Sequence, residues 1–152
     1  MTSVVNLMTL DAKGGKAMAK EKPYKFVDDD TFDLTNMVRE GVPYPYFTKL
    51  SNQIHLGVEE WSSYLHLSER TMQRYKKENK SFDPLYAERI LQIELLYKKG
   101  IAVFGVEDNF YTWMDTVSLP LGNVKPKQLL DTIFGIEAIY DELGRIEHGI
   151  FA

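Results

Sequence analysis

Arg70, Gln73, Arg74 and Lys77 recur at spacings of three and four along LSERTMQRYKKENK, and Glu69 shares their exposed side. Their chemistry is that of nucleic-acid recognition. An arginine forms paired hydrogen bonds to guanine, and a glutamine does the same to adenine. Lys76, Lys77 and Lys80 are spaced to neutralise phosphates, which positions a duplex without reading its sequence. Catalytic chemistry finds no comparable pattern. The three histidines, His55, His66 and His148, stand far apart, and His66 reads as a turn residue near a DNA backbone. Glu147 and His148 are adjacent on a helix and so point apart, a poor acid–base pair. There are no cysteines, which excludes a thiolate metal site and a disulfide framework. Lys13-Gly14-Gly15-Lys16 is no phosphate loop, because Ala17 follows and Leu10 stands where the first glycine is required. Neither G-x-S-x-G nor H-E-x-x-H occurs. The chain therefore reads as a non-enzyme with no metal and no cofactor.

A basic face is useful only if two helices hold it. Val58 to Leu65 forms a short amphipathic helix with Trp61, Tyr64 and Leu65. A tight turn at Leu65-His66-Leu67 follows, and Ser68 then caps a second helix running to about Lys77. Leu65, Leu67 and Met72 are expected to face the core. This is the layout of a DNA-reading helix-turn-helix. The alternative is a structural helix pair that binds nothing.

The remaining signals are also helical. Leu34, Met37 and Val38 mark a helix ending at Gly41, and Phe47, Leu50 and Ile54 mark another. Asp83-Pro84 pairs a capping side chain with proline at the first helical position. It opens a long helix to Phe104, with Gly105 as its stop and Gly100 as a site for close packing. A short helix spans Asp108 to Asp115, and Pro126 to Leu130 is one turn. A last helix starts near Asp131 or Thr132 and continues past Gly144 to about His148. No stretch alternates with period two, so the fold class is all-α. Residues 1–30 lack periodicity and read as a mobile extension. Residues 31–105 form the helix-turn-helix domain with a long linking helix, and 106–152 form a small C-terminal helical domain.

Charge separates along these parts. Residues 66–104 hold eight Lys/Arg against five Asp/Glu, whereas residues 105–152 hold three against eight. A basic middle and an acidic C-terminal third suit two different partners. The end, LGRIEHGIFA, is apolar where termini are usually polar and frayed. Ile136, Ile139, Tyr140 and Leu143 are expected in the core. Arg145, Ile146, Glu147, His148, Ile150 and Phe151 are expected to meet a partner protein. No apolar run is long enough to span a membrane, and no secretory signal opens the chain, which suggests the cytoplasm.

With these residues in view, the chain resembles the Xre/MbcA/ParS family of bacterial antitoxins. The resemblance runs from Asp33 to Ala152. It rests on MVREGVPYPYF, LHLSERTMQRYKKE, AERILQIELLYKKGIAVFG, WM-D-T and LLDTIFGIEAIYDELGRIEHGIFA in that order. It implies a helix-turn-helix followed by a toxin-binding region whose typical partner is a RES-domain toxin that consumes NAD. It also implies blockage of that toxin and repression of the shared operon. Carried onto this chain, the DNA-contacting positions are Ser68, Arg70, Thr71, Gln73 and Arg74, with Lys76 and Lys77 beside them, and the toxin faces Leu129 to Ala152. Residues 1–30 lie outside the family pattern, and Tyr75-Lys76-Lys77 stands where many relatives carry more arginine. Two half-sites on DNA favour a homodimer. A stand-alone regulator with a dimerising C-terminal domain is the alternative.

Overall fold

The computed structural model describes residues 23–149. Among these residues it contains seven α-helices, two 3-10 turns and two isolated β-bridges. The helices are α1 (Thr31–Glu40), α2 (Tyr44–Gln53), α3 (Val58–Leu65), α4 (Glu69–Glu78), α5 (Pro84–Phe104), α6 (Glu107–Met114) and α7 (Ile133–His148). The 3-10 turns are Leu119–Leu121 and Pro126–Leu129.

The long helix α5 is the axis of the molecule, with α1, α3, α6 and α7 packed around it. Ile90, Leu91, Ile93, Leu96 and Tyr97 are buried, which covers much of its circumference. Proline begins it at a position where no backbone N–H is missed. Asp83, expected to cap with its side chain, forms no such bond. Its carbonyl instead accepts from Ala87 N at 2.8 Å, so proline and backbone alone set the start. Gly105 ends the helix at a φ of 78°.

One continuous core runs through the bundle. On the helix-turn-helix side, Phe47 packs against Trp61 at 4.9 Å and against Phe82 at 4.8 Å between ring centroids. Tyr75 of α4 joins them, 5.0 Å from Phe82. Trp61 donates from its indole to Ser51, whose hydroxyl donates to the Leu56 carbonyl. On the C-terminal side, Phe110 sits over Gly100. A Cβ at Gly100 would lie 2.1 Å from the Phe110 ring, so α5 and α6 approach at a distance that no other residue permits. Ile136, Ile139 and Leu143 of α7 are buried as expected, and Tyr140 is half-buried.

Residues 23–30 depart from the expected mobility. They run as an extended arm across the bundle, with Tyr24 and Phe26 packed against the core. The anchor is Glu94 of α5, which is 0% exposed. Its carboxylate accepts from the Tyr24 hydroxyl at 3.1 Å, the Val27 N–H at 2.8 Å and the Tyr46 hydroxyl at 2.5 Å. Lys98 donates to the Val27 carbonyl at 3.0 Å. A charge can be buried when its lone pairs are filled in this way. Residues 1–22 of the expected extension lie outside the described residues.

Candidate functional site

The helix-turn-helix is built by short local devices. Glu60 reaches back to accept the Gly57 N–H at 3.0 Å and fixes the start of α3. His66 takes a left-handed conformation, φ 56°, and turns the chain toward α4. Ser68 accepts the Thr71 N–H at 3.1 Å, as a helix cap should, and donates its hydroxyl to Thr71 Oγ1 at 2.9 Å. Met72 and Tyr75 plant α4 in the core. Leu67, expected with them, is half-buried.

This planting leaves Glu69, Arg70, Gln73, Arg74, Lys76 and Lys77 exposed, while Thr71 is half-buried beside the cap. Among the described residues, none of Arg70, Arg74, Lys76 and Lys77 takes part in an ion pair. Arg74 lies 5.9 Å from the centre of the Tyr75 ring, and Lys80 lies 4.7 Å from it. Five cations on and just after one short helix, with Gln73 among them, make a surface able to meet phosphate and base edges. Ser68 and Thr71 are occupied in forming the helix start. Their local role is to satisfy the Thr71 N–H and fix the entry of α4.

His66 has a further partner that the sequence did not reveal. Its Nε2 donates to the Asp131 carbonyl at 2.8 Å. Nearby, the Tyr64 hydroxyl donates to the Lys127 carbonyl at 2.8 Å. Arg89 of α5 reaches between the Tyr64 and Leu130 carbonyls at 3.5 and 3.4 Å. Lys127 pairs with Glu60 at 2.8 Å and with Asp115 at 3.3 Å. The hydrogen bond to Glu60 is the main reason the Lys127 ammonium is held above its ordinary pKa. Burial pushes the Tyr64 hydroxyl up as well. These contacts form a clamp that ties α3 and its turn to the segment entering α7. Most of the acceptors are backbone carbonyls, which leave no trace in a residue pattern.

At the other end of α7, the residues expected to meet a partner divide. Arg145 donates to Glu142 Oε1 from Nε at 2.9 Å, and its terminal nitrogen lies 2.8 Å from the same oxygen. Glu147 pairs with Lys99 at 2.9 Å, which holds its carboxyl below the ordinary range. Both pairs remain near half exposed at Arg145, Lys99 and Glu147. His148 is exposed and Ile146 is half-buried. Gly149 closes the helix at φ 68°, and Ile150 and Phe151 lie outside the described residues. Among the described residues no cluster of His, Asp or Glu could hold a metal ion, and no helix is long and apolar enough to cross a membrane.

Two models of known domains match successive segments of the chain. Residues 33–93 match the model of the antitoxin Xre-like helix-turn-helix domain. Residues 99–149 match that of the antitoxin Xre/MbcA/ParS C-terminal toxin-binding domain. The chain is similar to an antitoxin Xre of Yersinia enterocolitica, 32% identical over 84 residues, or 55% of this chain and 57% of that protein. The match thus spans little more than half the length of that relative. It is also similar to an antitoxin Xre of Photorhabdus laumondii, 27% identical over 118 residues, or 77% of this chain and 80% of that protein. The family is one of binding and regulatory proteins, not of enzymes. With its two domains matched in order over successive segments, the chain belongs to the Xre/MbcA/ParS antitoxin family.

Proposed function

We propose that the protein is the antitoxin of a type II toxin–antitoxin pair. In this reading it acts in the cytoplasm as a homodimer. The exposed side of α4 reads the operator of its own operon, through Arg70, Gln73 and Arg74 at bases and Lys76 and Lys77 at phosphates. Ser68 and Thr71 set the entry of that helix. The C-terminal domain, with Arg145 to Phe151 at its end, blocks a RES-domain toxin that consumes NAD. One observation carries the reading. A basic helix face without ion pairs among the described residues shares a chain with a segment matched as a toxin-binding domain.

The test is co-expression from the native locus. The chain is expected to co-purify with a RES-domain protein encoded beside it. The purified chain is also expected to suppress NAD loss catalysed by that protein, and to shift a fragment carrying the upstream operator. If the operator is bound and no toxin is retained, the protein is a stand-alone regulator. If NAD is lost with the chain alone, the non-enzymatic assignment fails.

A further inference from the structure

A groove of about 500 Å³ lies against the C-terminal half of α7, at Glu142 and Ile146. Phe104 of α5, Trp113 of α6 and Ile146 of α7 line it, together with Val117, Leu119 and Pro120 of the connecting loop. Leu119 is 79% exposed and Val117 54%. Isolated apolar residues on a surface are ordinary, but here they ring one concavity that the bundle does not cover. Glu142 lines the same groove although the residue is 6% exposed. Arg145 occupies its Oε1, and among the described residues no donor reaches Oε2. Oε2 is not among the side-chain atoms buried without a partner, so it meets solvent at the groove and can receive a donor there.

We propose that this groove is where the toxin docks. It takes an apolar side chain of the toxin between Trp113, Leu119 and Ile146, flanked by a hydrogen-bond donor that closes on the free oxygen of Glu142. The inference rests on the proposed antitoxin function and locates its contact. Three observations select this occupant. Every residue of the groove falls within residues 99–149, the segment matched as toxin-binding. Residues 105–152 hold eight acidic against three basic side chains, so the complementary surface is cationic. The groove also lies on the opposite end of α7 from His66 and the turn into α4. From Ile133 to Ile146 the helix covers about 20 Å at 1.5 Å per residue, which leaves α4 clear for DNA. Burying an apolar anchor beside a satisfied charged group is the usual make-up of an energetic centre in an interface. The Glu142–Arg145 pair would orient the anchor, and Arg145 would meet the toxin through Glu142 as much as directly.

The experiment titrates the full-length chain with the RES-domain protein retained in the co-expression above. L119D places a charge on an exposed position, and E142Q keeps the shape while removing the charge. L119D is expected to weaken toxin binding about tenfold to a hundredfold, since its carboxylate would be desolvated against an apolar side chain. E142Q is expected to weaken it several-fold, and both variants should retain operator affinity. Equal toxin affinity in wild type and L119D overturns the inference while leaving the antitoxin function in place. A toxin-free L119D chain that changes from dimer to monomer mass assigns the groove to a second copy and also overturns it. A fall in melting temperature of the toxin-free variant assigns the groove to the chain's own C-terminal residues, with the same result. A wild-type chain that captures no toxin removes the antitoxin function itself.

Discussion

Replacing Glu94 with alanine should free the arm of residues 23–30 without unfolding the bundle. The carboxylate gathers three donors, from Tyr24, Val27 and Tyr46. Hydrogen bonds to a charged group are worth about 1.5–3 kcal/mol each, so the gross loss is roughly 5–9 kcal/mol. Much of this is offset. Burying the carboxylate itself costs several kcal/mol, and Tyr24 and Val27 regain water once the arm leaves. The net loss is then about 1–3 kcal/mol, carried mainly by the packing of Tyr24 and Phe26 and by the orphaned Tyr46 hydroxyl. The variant should show a lower urea midpoint and faster tryptic cleavage after Lys25, which lies in the arm. Wild-type midpoint together with wild-type cleavage at Lys25 would refute the anchoring role. The pH dependence supplies an independent check. Burial raises the Glu94 carboxyl above its ordinary value of 4.5, although the three donors and Lys98 pull it down. The folded state therefore binds more protons than the unfolded one between the ordinary and the raised value. Stability falls as pH rises through that window. Glu94→Gln should flatten this slope, and an unchanged slope would exclude Glu94 as its source.

Three further outcomes follow from particular contacts. Gly100→Ala should lower stability by about 1–3 kcal/mol because the added methyl meets the Phe110 ring. Gly144→Ala, with nothing near its Cβ inside α7, should instead raise stability by about 0.5–1 kcal/mol, and thermal unfolding compares the two. Ser68→Ala removes the cap of α4 and should cost about 1 kcal/mol in chemical denaturation, with weaker operator binding in a mobility shift. Arg74→Ala should weaken operator binding by roughly 1–3 kcal/mol and leave toxin inhibition intact; a titration across salt separates a phosphate contact from a base contact.

Local signals made most of the helices legible. Proline at the start and Gly105 at the end bounded α5, and Ser68 marked the start of α4 because a cap acts within three residues of itself. The exposed side of α4 followed from the spacing of its polar residues opposite Met72, whereas the burial of Tyr75 beside Met72 was not foreseen. What escaped was set at long range. Glu94 looked like an ordinary member of a helix until the arm, 67 residues away, closed on it. Tyr24 and Phe26 form too short a run to show periodicity. His66 looked like a neighbour of the DNA backbone, and its acceptor is a carbonyl 65 residues away. The groove brings together residues from α5, α6, the following loop and α7, so no window of sequence contains it.

The clamp at Tyr64, His66 and Arg89 bears on how such proteins diversify. A recombination that joins the first half of one relative to the last half of another, cut near Gly105, would exchange the carbonyls of Lys127, Leu130 and Asp131 while keeping the three side chains that seek them. A graft whose incoming loop follows another path would leave a tyrosine, a histidine and an arginine facing the wrong backbone. With the toxin docked as proposed, new partner specificities would then spread more readily by substitution at the groove than by shuffling halves. A chimera built for the laboratory should carry Tyr64, His66 and Arg89 along with the C-terminal half it borrows.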